Sequence, residues 1–209
     1  MLQQPPAPMP RRSRPWPRLR QPRDRGQTLV EFAFVLPIFI MMLLAIIEFA
    51  FVFNAISTIN YASRNAALVA AEIGDNPGAD CQILESIDND VQAPETQTEI
   101  TQVTIFWANS GLATPPANVY ERTGSTSCTL PGGSVVTVPY TATQTDYPDS
   151  GRCNILAGCS GHPSGTLDQI GITISYRYSW KTPLRGFVAL GGSDFTITRS
   201  NTMRMEPIL

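Results

Sequence analysis

The sequence predicts an α+β chain in which a long N-terminal transmembrane helix continues into an amphipathic helix that packs on a small antiparallel β-sheet. Three observations predict it. Leu29–Phe53 is an apolar run interrupted only by Glu31, Pro37 and Glu48. Beyond Phe53 the apolar residues persist but recur at three- and four-residue steps as far as Ile73. Near the C-terminus, Ile170–Lys181 alternates apolar and polar residues with the period of a half-buried strand.

The chain opens with residues 1–26, a basic leader. It carries seven arginines against one acid, Asp24, and seven of its first 22 residues are proline. That composition cannot bury a core, so the leader reads as disordered. The remaining residues carry eight basic and sixteen acidic side chains. Such asymmetry marks a topogenic leader rather than a uniformly basic nucleic-acid binder. From Phe32 to Ile47 there is no charged or hydrogen-bonding side chain. A bilayer core takes about 20 apolar helical residues, so residues 29–53 are long enough to span it. A core helix of a soluble protein would show a polar face, and this one is apolar all round. The arginines in front place the N-terminus in the cytoplasm and the rest of the chain outside. The run is too long for the apolar segment of a secretory signal peptide.

Residues 54–73 form the outer half of the same helix. Val52, Ala55, Ile56, Ile59, Ala62, Ala66, Val69, Ala70 and Ile73 lie on one side, and Asn54, Thr58, Tyr61, Arg64 or Asn65, and Glu72 on the other. The stripe is largely alanine, which lets a neighbouring element approach closely. Gly74, followed by Asp75, Asn76 and Pro77, ends the helix. From Gln27 to Ile73 it would measure roughly 70 Å. Glu48, near the outer end of the apolar run, reads as a carboxylate solvated at the interface, with a contact to another subunit as the second reading.

The leader, then Gly26, then an apolar helix with Glu31 at the fifth position after that glycine, resembles a type IV prepilin signal. The wider stretch "RGQTLVEFAFVLPIFIMMLLAIIEFAFVFNAISTINYASRNAALVAA" resembles the TadE-like family of tight-adherence (Tad/Flp) pilus assembly proteins. It shares with them the glycine, the Val-Glu-Phe step, the Leu-Pro in the span, the later Glu-Phe, and an Ala-x-Arg-like step seen here as Ala62, Ser63 and Arg64. The resemblance covers residues 25–73 and implies a pilin-like fold. It also implies a minor pilin or pseudopilin in a bacterial cell membrane, cut by a prepilin peptidase between Gly26 and Gln27. Glycine lets the backbone enter a tight cleft. Glu31 would then attract the freed amino group of a neighbouring subunit, a strong attraction at low dielectric. The implied partners are the prepilin peptidase, other pilus or pseudopilin subunits met through the N-terminal helix, and the membrane. The rival reading is an uncleaved single-pass anchor carrying an extracytoplasmic ligand-binding β-rich domain, with Gly26 a flexible point and Glu31 facing headgroups.

Residues 75–209 read as the extracytoplasmic α+β domain. Asp80 is placed to cap a short helix with Cys81, Leu84, Ile87 or Asp88, and Val91 on one face. Strands are expected at 100–107, 135–140, 170–181 and 195–206, the last two joined through 183–192. The Gly/Ser/Thr/Pro-rich stretches 108–134 and 141–167 read as surface loops. Cys81, Cys128, Cys153 and Cys159 all lie outside the membrane, where disulfides form. Four cysteines allow three pairings. Cys153–Cys159, close in sequence, is the preferred pair, with Cys81–Cys128 as the remainder. His162, after "CNILAGCSG", has no zinc-ligand spacing around it and reads as a surface histidine, so no metal and no cofactor are inferred. No G-x-S-x-G, P-loop or H-E-x-x-H occurs, and a lone histidine supports no catalytic triad, so the chain reads as a non-enzyme without a nucleic-acid or small-molecule substrate.

Overall fold

The computed structural model describes residues 27–91, 99–130, 132–162, 166–183 and 194–207. The leader 1–26, with Gly26, and most of the expected 183–192 connection lie outside these residues. Helix α1 runs Gln27–Ile73 without interruption, with Pro37 inside it. Gly74, at φ 67°, ends it in the left-handed conformation that glycine adopts without a Cβ penalty.

By its contacts the chain divides into two units, 1–40 and 41–209. In the first, the described residues are the opening turns of α1, whose side chains from Thr28 to Ile40 are all exposed. Leu29, Phe32, Phe34, Ile38 and Phe39 are among them. α1 contains a stretch long and apolar enough to cross a membrane.

The second unit packs the rest of α1 and a short helix against a sheet. Helix α2 spans Ala79–Asp90. Strands β1 (Ile100–Trp107), β2 (Ala117–Glu121), β5 (Thr141–Thr145), β6 (Gln169–Tyr178) and β7 (Phe195–Arg204) form one sheet in the order β5-β2-β1-β6-β7. All neighbouring strands are antiparallel. Strands β3 (Thr126–Thr129) and β4 (Val135–Val138) make a separate two-stranded ribbon. The α+β layout is the expected one.

The core follows from the sequence periods. On β6 the alternate residues Ile170, Ile172, Ile174, Tyr176 and Tyr178 are buried, and Val103 and Ile105 of β1 lie opposite Ile174 and Ile172. Against them lies the small-residue stripe of α1: Ala55, Ile59, Ala62, Ala66 and Ala70. Gly171 has a particular reason to be glycine. It pairs with Phe106 across β1 and β6, and a Cβ there would stand 2.1 Å from the Phe106 ring. The aromatic ring covers the bare backbone of its cross-strand neighbour.

Three expectations are corrected. The stretches expected as loops, 108–134 and 141–167, contain β2, β3 and β5. β2 lies between β1 and β5 within the main sheet, and Asn118 and Tyr120 on its inner face are buried. These strands are four or five residues long, β3 and β5 are rich in Thr, and β2 carries Asn118 at an inward position, so too few apolar residues fall in phase to announce them. Asp80 does not cap α2: the cap position is Gly78, at φ 79°, and it makes no side-chain cap bond. Asp149 accepts from the Gly78 N–H at 2.9 Å instead. Asp80 is turned inward, for the reason given below. The strand expected over 135–140 ends at Val138 and belongs to the small ribbon, not the main sheet.

Candidate functional site

The residues singled out in the sequence fall into two places. Gln27 is the first residue of α1, and Glu31 follows one turn later on an exposed surface. Gly26 lies outside the described residues. Beyond Glu31 the helix surface is mostly apolar and exposed up to Phe53, with Glu48 the one buried residue in the stretch. Past that point α1 divides by face. Ala55, Ile59, Ala62, Ser63, Ala66, Ala67, Ala70 and Ala71 are buried, while Ser57, Tyr61, Arg64, Leu68 and Glu72 stay exposed. Open grooves of about 450 Å³ and 440 Å³ flank this exposed stripe. Arg64 and Leu68 line both, and Asn201 and Met203 of β7 close the first. A helix with one face buried and another bare along its length can pack against another helix without disturbing its own domain.

Glu48 corrects the sequence reading. It is 3 % exposed, not solvated. Its carboxylate accepts the Tyr178 hydroxyl at 2.6 Å, the Lys181 N–H at 3.2 Å and the Thr182 N–H at 2.8 Å. No ion pair to it occurs among the described residues. The charge is offset by hydrogen bonds alone, two of them from successive backbone amides three and four residues past the end of β6. Beside this clamp lies a second carboxylate, Glu99. It accepts from Ser179 at 2.5 Å, from the Lys181 ammonium at 2.7 Å, and from the Tyr176 hydroxyl. Burial pushes the Glu99 carboxyl up, but these bonds and the Lys181 charge outweigh it and hold it below the usual carboxylate range. The signal in the sequence was a second glutamate in an apolar run. Its partners lie some 130 residues away and could not be paired with it by spacing.

A further polar network holds the far end of the domain. Asp80 forms a buried ion pair with Arg152 and accepts from Tyr120 at 2.5 Å and Asn118 at 2.7 Å. A carboxylate so engaged has no reason to cap its own helix. Arg152 also lies over the Tyr147 ring at 5.1 Å. The Tyr147 hydroxyl donates to Asp168 at 2.9 Å, and Asp168 meets His162 Nδ1 at 2.7 Å. Burial, with the neighbouring carboxylates, pushes the Tyr120 and Tyr147 phenols well up, so both remain donors. His162, expected on the surface, is half-buried: its Nε2 bonds the Gly151 carbonyl at 3.0 Å and its ring lies 4.5 Å from Trp107. Disulfides join Cys81 to Cys128 and Cys153 to Cys159. Among the described residues no group of three His, Cys, Asp or Glu is arranged to hold a metal ion.

Compared with known proteins, residues 26–68 match the model of the TadE-like protein family. The match begins one residue before α1 and covers the apolar run, Glu31, Glu48 and α1 as far as Leu68. It implies a Tad pilus-associated protein with an N-terminal membrane helix. No curated protein and no solved structure matches the chain.

Proposed function

We propose that this chain, TadE-like over residues 26–68, is a minor pilin or pseudopilin of a Tad-type pilus assembly or secretion machinery. On this reading it enters the bacterial membrane with its arginine-rich leader on the cytoplasmic side and α1 across the bilayer over residues 29–53. The domain at 75–209 stands outside. A prepilin peptidase cuts between Gly26 and Gln27, and the mature chain assembles with other pilus subunits through α1. The observation that carries the reading is α1 itself. It starts at Gln27, runs mostly exposed and apolar to Phe53 apart from the buried Glu48, and then keeps one face bare while the other is packed on the sheet. Glu31, one turn from the proposed new terminus, is the carboxylate that would meet the amino group of a neighbouring subunit.

The test is the mass of the N-terminus in chain extracted from membranes. A chain beginning at Gln27, and no such product from Gly26→Arg, is the expected result. A chain that keeps its arginines points to the uncleaved anchor with a ligand-binding outer domain. Glu31→Ala is expected to insert and be processed but to co-purify poorly with other pilus subunits. Undiminished co-purification removes the charge-pairing role from Glu31.

A further inference from the structure

We propose that the strand end Tyr178–Thr182 lies in the lipid headgroup layer, held there by Glu48, so that the outer domain rests on the bilayer. The proposal rests on the reading of α1 as a membrane span.

The apolar surface of α1 does not stop at Glu48. Phe49, Phe51 and Phe53 beyond it are 67 %, 46 % and 62 % exposed, and the Phe49 and Phe53 rings stand 6.2 Å apart. Three exposed phenylalanines within five residues are ill suited to water, and they continue directly from a lipid-crossing surface. Phe53 is five residues past Glu48, about 7.5 Å along the helix. The headgroup layer on one side of a bilayer is about 5–7 Å deep, from a core of about 30 Å within a total of about 40–45 Å. If the exposed rings end where the headgroups end, Glu48 lies at the hydrocarbon edge. An independent count agrees: about 20 helical residues span the core, and starting from Leu29 they finish at Glu48.

The strand end must lie at the same depth, because the Lys181 and Thr182 amides bond the Glu48 carboxylate directly. Its chemistry suits an interface. Tyr178 sits on Glu48 and its ring lies 5.1 Å from Phe195, which is 38 % exposed. Trp180 is half-buried, and the Lys181 ammonium is neutralised by Glu99. Aromatic rings and paired charges are the side chains that settle at headgroup level. The clamp also explains how a glutamate is tolerated there: three donors replace the water it would lose.

The experiment reconstitutes the full chain in phosphatidylcholine vesicles whose lipids carry bromine either near the glycerol or near the chain ends, and reads tryptophan emission. Near-glycerol bromine is expected to quench part of the emission, and Trp180→Phe to abolish that part. Met41→Trp in the Trp180→Phe background reports on the span and is expected to be quenched best by chain-end bromine. If Met41→Trp is quenched but the wild-type chain is quenched no more than Trp180→Phe, the strand end stands clear of lipid and the proposal is overturned while the span survives. If neither is quenched, the span reading fails and the proposal with it. Quenching at Trp180 that disappears as protein density in the bilayer is raised assigns the patch to a second copy and also overturns the proposal. Glu48→Gln is expected to lose Trp180 quenching; unchanged quenching removes the clamp from Glu48.

Discussion

At the scale of single residues, buried charges are handled in two ways: Asp80 and Arg152 form an ion pair, whereas Glu48 is held by hydrogen bonds. Glu48 is a carboxylate with three donors and no cation among the described residues. Removing it strands two backbone amides and a phenol in a dry site, whereas removing the phenol alone strands nothing charged. Glu48→Ala is therefore expected to destabilise the outer domain by about 3 kcal/mol and Tyr178→Phe by about 1 kcal/mol. Thermal unfolding in detergent checks the order, and equal losses would mean that the amides contribute nothing. Glu99 adds a pH dependence, because its bonds and the Lys181 charge hold its pKa below the usual carboxylate range. A carboxyl held below its ordinary value in the folded state adds stability that is complete above the unfolded value, near 4.5, and is lost as pH falls through the folded one. Glu99→Gln is expected to flatten the acid side of the stability profile and to leave its neutral-to-alkaline shape alone. An unaltered acid limb would show that other carboxylates dominate it.

At the scale of elements, the close approach of α1 to the sheet depends on how little side chain lies between them. Ala62 and Ala66 are fully buried against a sheet face built from isoleucine and tyrosine. A leucine at Ala66, which is fully buried in the core, has nowhere to go without pushing its packed neighbours away or taking a strained rotamer. Ala66→Leu is expected to cost about 1–3 kcal/mol, while Leu68→Ala, on the exposed face, is expected to leave stability within about 0.5 kcal/mol. A chemical denaturation series on both variants decides it; equal midpoints would mean that the helix does not bear on the sheet. This asymmetry explains how much of the architecture was legible in the sequence. α1, β6 and β7 announce themselves because long apolar or alternating runs leave no other way to bury their residues. The inner stripe of α1 is readable because alanines at three- and four-residue steps have no surface purpose. β2, β3 and β5 were not legible, because their pairing is decided by neighbouring strands rather than by their own composition. Asn118 is the instructive residue. A polar side chain on an inward position spoils the alternation of β2, and its place there is justified only by Asp80 and the Tyr147 backbone. The same holds for Glu48: its charge was visible as an anomaly, but its donors belong to a distant strand end.

At the scale of the whole molecule, the two disulfides of the domain that follows α1 do different work. Cys81–Cys128 joins α2 to β3, and so ties down a ribbon that shares no backbone ladder with the main sheet. Cys153–Cys159 closes a short loop beside the Asp168 and His162 contacts, where Asp168 already accepts from the Cys153 N–H at 3.0 Å. The first spans 47 residues and the second 6. If the bonds act by restricting the unfolded chain, loop entropy assigns them about 4 and about 2 kcal/mol respectively. Replacing both cysteines of the long-range pair with serine is thus expected to lower stability roughly twice as much as replacing both of the short-range pair. The long-range variant should also lose protection from proteolysis first in the β3–β4 ribbon, since no ladder holds that ribbon to the sheet. Equilibrium unfolding of the two double variants, with peptide mapping after brief exposure to thermolysin, which cuts before apolar residues such as Val135 and Val136, measures both effects. If the short-loop variant proves the weaker, chain entropy is the wrong account. The native contacts that Cys153 makes with Asp168, and through it with His162 and Tyr147, would then be what the second disulfide protects.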